Sequence, residues 1–106
     1  MPVKDITIAK IKKLKQKFPN KIPLIVHQKD MKKYHKFMVD DDLTVAQFMK
    51  VFRNKIKLSS EEAIYLCALK DKTMLITSTT FMTLYNDFRN KDDIVELVYV
   101  MDNSFG

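Results

Sequence analysis

The sequence predicts an α+β fold in which one sheet carries its principal helix across a face. Three observations lead there. The chain has 106 residues, 46% apolar and 30% charged, which is enough apolar side chain for one core and too short for two. Hydrophobic periodicity alternates along it between helix and strand, in the order helix, strand, strand, helix, strand, helix, strand. No linker, repeat or low-complexity stretch interrupts that alternation.

Ile8, Ile11, Leu14 and Phe18 recur at helical steps, flanked by Lys10, Lys12, Lys13, Lys15 and Lys17. They predict an amphipathic, basic helix over residues 7–19, stopped by Pro19 and Asn20. The β-branched and aliphatic runs 23–27 and 36–39, separated by a polar stretch, read as a hairpin. In its second strand the period of two puts Phe37 and Val39 on one face, Lys36 and Met38 on the other.

Asp40, Asp41 and Asp42 break that strand, and Thr44-Val45-Ala46-Gln47 reads as a capping box. The Thr44 hydroxyl accepts from the Gln47 amide N–H, and the Gln47 side chain returns to the N–H of Thr44. Leu43 and Phe48 occupy the ends of a hydrophobic staple. A helix over 45–57 follows, with Val45, Phe48, Met49, Phe52 and Ile56 inward. The continuous apolar run 63–69 predicts a central strand covered on both faces. Ser78, Thr79 or Thr80 caps a short helix carrying Phe81, Leu84, Tyr85 and Phe88; residues 90–93 turn the chain. A last strand runs over 94–100 and leaves 101–106 as a tail.

Composition excludes several functions. Glycine occurs once, as Gly106, so a phosphate-cradling loop, a dinucleotide fingerprint and a nucleophile elbow all lack the residues they need. His27 and His35 have no cysteine or carboxylate at metal-ligand spacing, and no metal or cofactor is expected. Cys67, the single cysteine, sits mid-run among apolar neighbours and reads as a buried, inert thiol. It cannot form an internal disulfide, and the opening residues carry no signal-peptide pattern, which points to a reducing cytosolic setting. The longest apolar run is far below the roughly 20 residues that span a bilayer. Charge is uneven: residues 1–39 hold eleven lysines against Asp5 and Asp30, a net of +9, whereas 40–106 net −3. A basic half meets nucleic acid, anionic lipid or acidic peptide equally well by Coulomb attraction, or serves as a solvated face.

The stretches 17–26 (KFPNKIPLIV), 36–48 (KFMVDDDLTVAQF) and 53–64 (RNKIKLSSEEAI), with the closing Phe105-Gly106, resemble the ubiquitin-like modifiers of autophagy. These are the family of autophagy-related protein eight, GABARAP and the microtubule-associated light chain three, and the resemblance covers most of the chain from Leu14 onward. It implies a β-grasp (ubiquitin-like) domain with one N-terminal helix before a core over 22–100 and a conjugation tail over 101–106. It also implies a modifier without catalysis of its own, joined through Gly106 to phosphatidylethanolamine by activating and conjugating enzymes. Such a modifier is cytoplasmic, and autophagosomal when conjugated. Short aromatic-x-x-aliphatic motifs of receptors would dock on the second strand. By resemblance, Leu14, Pro23, Ile25, Lys36, Met38 and Ile94 line the aromatic pocket. Phe37, Val39, Leu43, Phe48 and Val51 line the aliphatic one, and Lys17, Lys21, Lys36 and Lys55 meet the motif's acidic flank.

Departures from the family pattern are also legible. Only residues 1–6 precede the first helix, where the family has a further helix. Asp40 replaces a usual proline, Tyr34-His35-Lys36 replaces a lysine run, and the first hairpin loop is shorter. The alternatives are a modifier of the autophagy-related protein twelve type, joined to a protein lysine, and a small basic nucleic-acid-binding domain. Against the latter, only Phe18, Tyr34 and Phe37 interleave with the first-half lysines, so no specific nucleic acid is expected.

Overall fold

The computed structural model describes residues 3–29, 33–59 and 61–102. Its element order is the expected one: α1 (Asp5–Lys17), β1 (Lys21–Gln28), β2 (Tyr34–Asp40), α2 (Val45–Lys55), β3 (Ala63–Ala68), α3 (Phe81–Phe88) and β4 (Val95–Asp102). The sheet order is β2-β1-β4-β3, with β1 antiparallel to β2, parallel to β4, and β3 antiparallel to β4. A central parallel pair flanked by antiparallel edges, with a helix across one face, is the β-grasp arrangement.

Alternation along the strands divides two layers. Ile22, Leu24 and Val26 of β1 join Ile64, Leu66, Val95, Leu97 and Tyr99 beneath α2 and α3, in a core centred on Phe48, Phe52 and Phe81. The opposite face of β1 gives Ile25, which packs with Ile94 and with Ile11 of α1. Thus α1 and α2 lie on opposite faces of the hairpin.

The capping box at Thr44 forms as read: Thr44 N–H donates to Gln47 Oε1 (2.9 Å) and Gln47 N–H donates to Thr44 Oγ1 (3.2 Å). The remaining first-turn amides of α2 are satisfied from the segment before α3, Val45 N–H by Thr79 O and Ala46 N–H by Thr77 O, each 2.9 Å. α3 is served in return, with Phe81 N–H on Leu43 O and Met82 N–H on Asp41 O, also 2.9 Å. Two helix N-termini therefore satisfy each other's orphan donors, and this fixes α3 against the strand exit at Asp41.

With no glycine to spare, left-handed backbone falls on other residues: Lys57 (φ 57°), Lys72 (φ 62°) and Asp93 (φ 60°). Lys57 ends α2. Its N–H donates to Asn54 O and the N–H of Leu58 to Arg53 O, the paired bonds of a Schellman motif, whose left-handed residue is usually glycine. Asn90 Oδ1 holds the 90–93 turn by accepting from the N–H groups of Asp92 (2.8 Å) and Ile94 (3.1 Å).

Some expectations need correction. The run 63–69 is not central: β3 is the outer strand of the sheet, Tyr65 is exposed and Cys67 is half-buried. Its apolar outer side is lined instead by 73–75, through Ala68 N–H to Thr73 O (2.9 Å) and Leu75 N–H to Leu66 O (3.0 Å). β4 continues through Met101 and Asp102, which the sequence reading gave to the tail. α1 starts two residues early, at Asp5, because its N-cap Lys4 provides no side-chain cap that the sequence could advertise, and α2 ends at Lys55.

Candidate peptide-docking site

β2 pairs only with β1 and forms the other edge of the sheet. Its register opposite β1 runs Val39↔Ile22, Met38↔Pro23, Phe37↔Leu24 and Lys36↔Ile25. Alternation sends Lys36 and Met38 to the α1 face, where they line a cleft of about 250 Å³. Phe37 and Val39 turn to the α2 face, where Phe37 meets Phe48 edge-on at 5.0 Å and Phe52 at 5.9 Å between ring centroids. The strand thus offers backbone on its outer side and different chemistry above and below.

On the α1 face, the six residues expected for the aromatic pocket do not share one opening. Ile25 and Ile94 are each 1% exposed, closed beneath Ile11 at 4%. Leu14, Lys36 and Met38 share the cleft between α1 and β2 with Lys10, Ile11 and Phe37. Pro23 instead lines a second cleft of about 210 Å³ on the other side of α1, together with Lys15, Gln16 and the turn residues Lys91, Asp92 and Asp93. Lys12 closes part of that side by its ion pair with Asp92 at 2.9 Å.

On the α2 face, Phe48 is sealed in the core and Val39 is buried, whereas Leu43 and Phe37 are half-buried and Val51 is 55% exposed. Phe37, Leu43 and Val51 therefore provide the accessible apolar surface there.

The lysines expected to meet acidic residues differ in what already holds them. Lys21 Nζ is paired with Asp40 Oδ1 at 3.0 Å, across the first register pair of the hairpin. Lys55 Nζ stands 5.1 Å from the Phe37 ring centroid, and Lys17 Nζ lies 5.8 Å from that of Phe18. Lys36 is exposed on the edge. His35, among these lysines, sets its ring edge-on to Phe52 at 5.8 Å. Burial, with Lys55 and Lys33 close by, pushes its imidazole below the usual histidine range. Among the lysines of this edge, the ring is therefore uncharged at neutral pH.

Sequence reasoning missed several features. His27 is buried, with its Nε2 3.2 Å from Glu96 Oε1. The hydrogen bond to His27 leads in holding the Glu96 carboxyl below the usual range, against burial and with help from Asn90. These partners are 69 residues apart, and nothing local announces them. Lys10 and Ile11 line the cleft although the sequence marked them only as flank and stripe. Cys67, read as sealed, is half-buried and lines a cavity of about 350 Å³ with Lys29, Lys72, Val98 and Val100. Among the described residues, no three His, Cys, Asp or Glu side chains are grouped to share a metal ion. No helix among them is long and apolar enough to cross a membrane. Gly106 lies outside the described residues.

Comparison with known proteins agrees with this fold. A family model described as "Autophagy protein Atg8 ubiquitin like" matches residues 7–106. Human microtubule-associated protein 1 light chain 3 gamma is 31% identical over 99 residues, spanning 88% of this chain and 67% of that protein. Autophagy-related protein 8e of Arabidopsis thaliana is 32% identical over 103 residues, spanning 92% and 83%. The crystal structure of Trypanosoma brucei ATG8 superposes with a TM-score of 0.79 at 25% identity, covering 96% of this chain and 90% of that one. With its sequence matched almost end to end and its sheet order and helices accounted for, the chain belongs to the Atg8 family of ubiquitin-like autophagy proteins.

Proposed function

We propose that this chain is a modifier without catalytic activity of its own, which docks aromatic-x-x-aliphatic peptides on β2 and is conjugated through Gly106 to phosphatidylethanolamine. The observation that carries the docking half is the two-sidedness of the β2 edge, with the Lys10–Lys36 cleft on one face and Phe37, Leu43 and Val51 on the other. An extended peptide adding to this edge sends alternate side chains to the two faces. Each filled pocket supplies on the order of 1.5–3 kcal/mol of gross apolar transfer before association costs, so affinity is modest. The lysines around the edge attract an acidic flank by charge, and nothing among them reads a nucleic-acid sequence.

The conjugation half rests on family membership and the terminal glycine. Gly106 carboxylate is a poor acyl donor. Partner enzymes adenylate it with release of pyrophosphate and then transfer it to a cysteine thiol with release of AMP. The lipid amine attacks that thioester, forming the amide and returning the thiol. Glycine has no Cβ to obstruct the narrow channels this needs. Two acyl chains, at about 0.8 kcal/mol per buried methylene, then hold the domain at a membrane such as that of the autophagosome.

Two measurements test the reading. In an NMR titration with an acidic-flanked motif peptide, shifts should centre on Lys36, Phe37, Met38, Val39 and the neighbouring face of α2; shifts elsewhere reject the site. Intact mass after incubation with the pathway's enzymes, ATP and phosphatidylethanolamine vesicles should show the lipid adduct, lost on deletion of Gly106. Adducts only on protein lysines would replace the lipid by a protein target.

A further inference from the structure

The cationic rim of the cleft between α1 and β2 bears on which aromatic residue enters it. We propose that this cleft accepts phenylalanine or tyrosine and discriminates against tryptophan, with Lys10 setting the choice. The inference deepens the docking reading and depends on it.

Ile11 packs on Ile25 and Ile94 and closes the space beneath, so a ring entering from the edge rests on Ile11 between Leu14 and Met38. The cleft, about 250 Å³, has room for a phenyl ring or an indole, so the choice between them falls to the rim.

The reason is the polarity of the rim. Its charged groups are the ammonium groups of Lys10, on α1, and Lys36, on β2, and an ammonium only donates. The carbonyl of Lys10 belongs to the helical ladder, and the outward carbonyls of β2 are those that a docking peptide's own backbone uses. An indole N–H is also a donor only, so once desolvated against this rim it faces ammonium groups and no acceptor. A phenyl ring has no such donor, and a tyrosine hydroxyl accepts from a lysine. Cation–π attraction draws every aromatic ring to this rim, tryptophan most strongly, so the discrimination is the cost of the unsatisfied N–H less that gain.

Three peptides identical except for Phe, Tyr or Trp at the aromatic position, titrated into the full chain, decide it. The Phe and Tyr peptides should bind about fivefold to tenfold tighter than the Trp peptide, the effect of one poorly satisfied N–H. Lys10→Gln, which places an amide oxygen at the rim on an exposed helical position, and Lys10→Glu should each erase or invert the order. A changed acidic-flank attraction affects all three peptides alike, so their ratio isolates the acceptor. If the strand Tyr34–Asp40 responds to the peptides but Trp binds as tightly as Phe, or the ratio ignores Lys10, the inference is overturned and the docking reading survives. If none of the three peptides perturbs that strand, both fall.

Discussion

Lysine to glycine at two positions of one helix should change stability in opposite directions. Lys57 sits at φ 57°, the left-handed residue that closes α2. An L-residue with a Cβ is disfavoured there by roughly 1–2 kcal/mol. Glycine removes that strain but loosens the unfolded chain by about 0.4–1 kcal/mol. Lys57→Gly should therefore stabilise the protein by about 0.5–1 kcal/mol. Lys50 is exposed in the middle of the same helix, where glycine costs about 1 kcal/mol. The two variants share composition, mass and net charge, so general charge effects cancel between them. Their difference of roughly 1.5–2 kcal/mol corresponds to about 6–12 °C in Tm for a domain near this size. Urea unfolding read by circular dichroism gives both midpoints. A Lys57→Gly variant no more stable than wild type, with unchanged m-value, would refute the argument that the helix end is strained.

Other perturbations have defined expectations. Phe52→Leu removes ring contacts with Phe37, Phe48 and Tyr99 at 5.9, 5.7 and 5.0 Å and should cost about 2–3 kcal/mol in chemical denaturation; a loss under about 0.5 kcal/mol contradicts the core assignment. Because the folded Glu96 carboxyl is held below its usual range, its stabilisation is full above the unfolded carboxyl pKa and is lost as pH falls through the folded one. Glu96→Gln should thus lower stability at neutral pH and flatten the decline below about pH 4; an acid limb as steep as wild type counts against the pair. Asp40→Ala frees Lys21 from its exposed pair and should tighten an acidic-flanked peptide by roughly twofold to fivefold at low salt, with stability within about 0.5 kcal/mol. Unchanged binding at low salt would exclude Lys21 from the flank contact.

What the sequence disclosed was chiefly local. Thr44 and Gln47 lie three residues apart, and their reciprocal bonds need nothing from the rest of the chain, so the capping box could be read directly. The alternation of Lys36, Phe37, Met38 and Val39 likewise follows from strand geometry. The run 63–69 misled because apolar residues on both sides of a strand say that something covers it, not what. In β3 the cover on the outer side is the short segment 73–75 rather than another long strand. The split of the aromatic pocket turns on where one side chain, Ile11, comes to rest between two elements, and a stripe spacing does not determine that. The absence of glycine before Gly106 was plain, but which residues must take left-handed backbone in its place depends on where each helix and turn closes.

The parallel pairing of β1 with β4 sets a distance. Lys36 is level with Ile25, and Ile25 with Glu96, so Lys36 of the docking strand lies level with a point six residues along β4 from Asp102, roughly 20 Å at about 3.3 Å per residue. The last described residue of β4 therefore lies toward the Tyr34 end of the hairpin, away from Val39. If a lipid is joined beyond that residue, as proposed, and a peptide docks on β2, the two attachments occupy separate parts of the domain, and neither has to give way for the other to form.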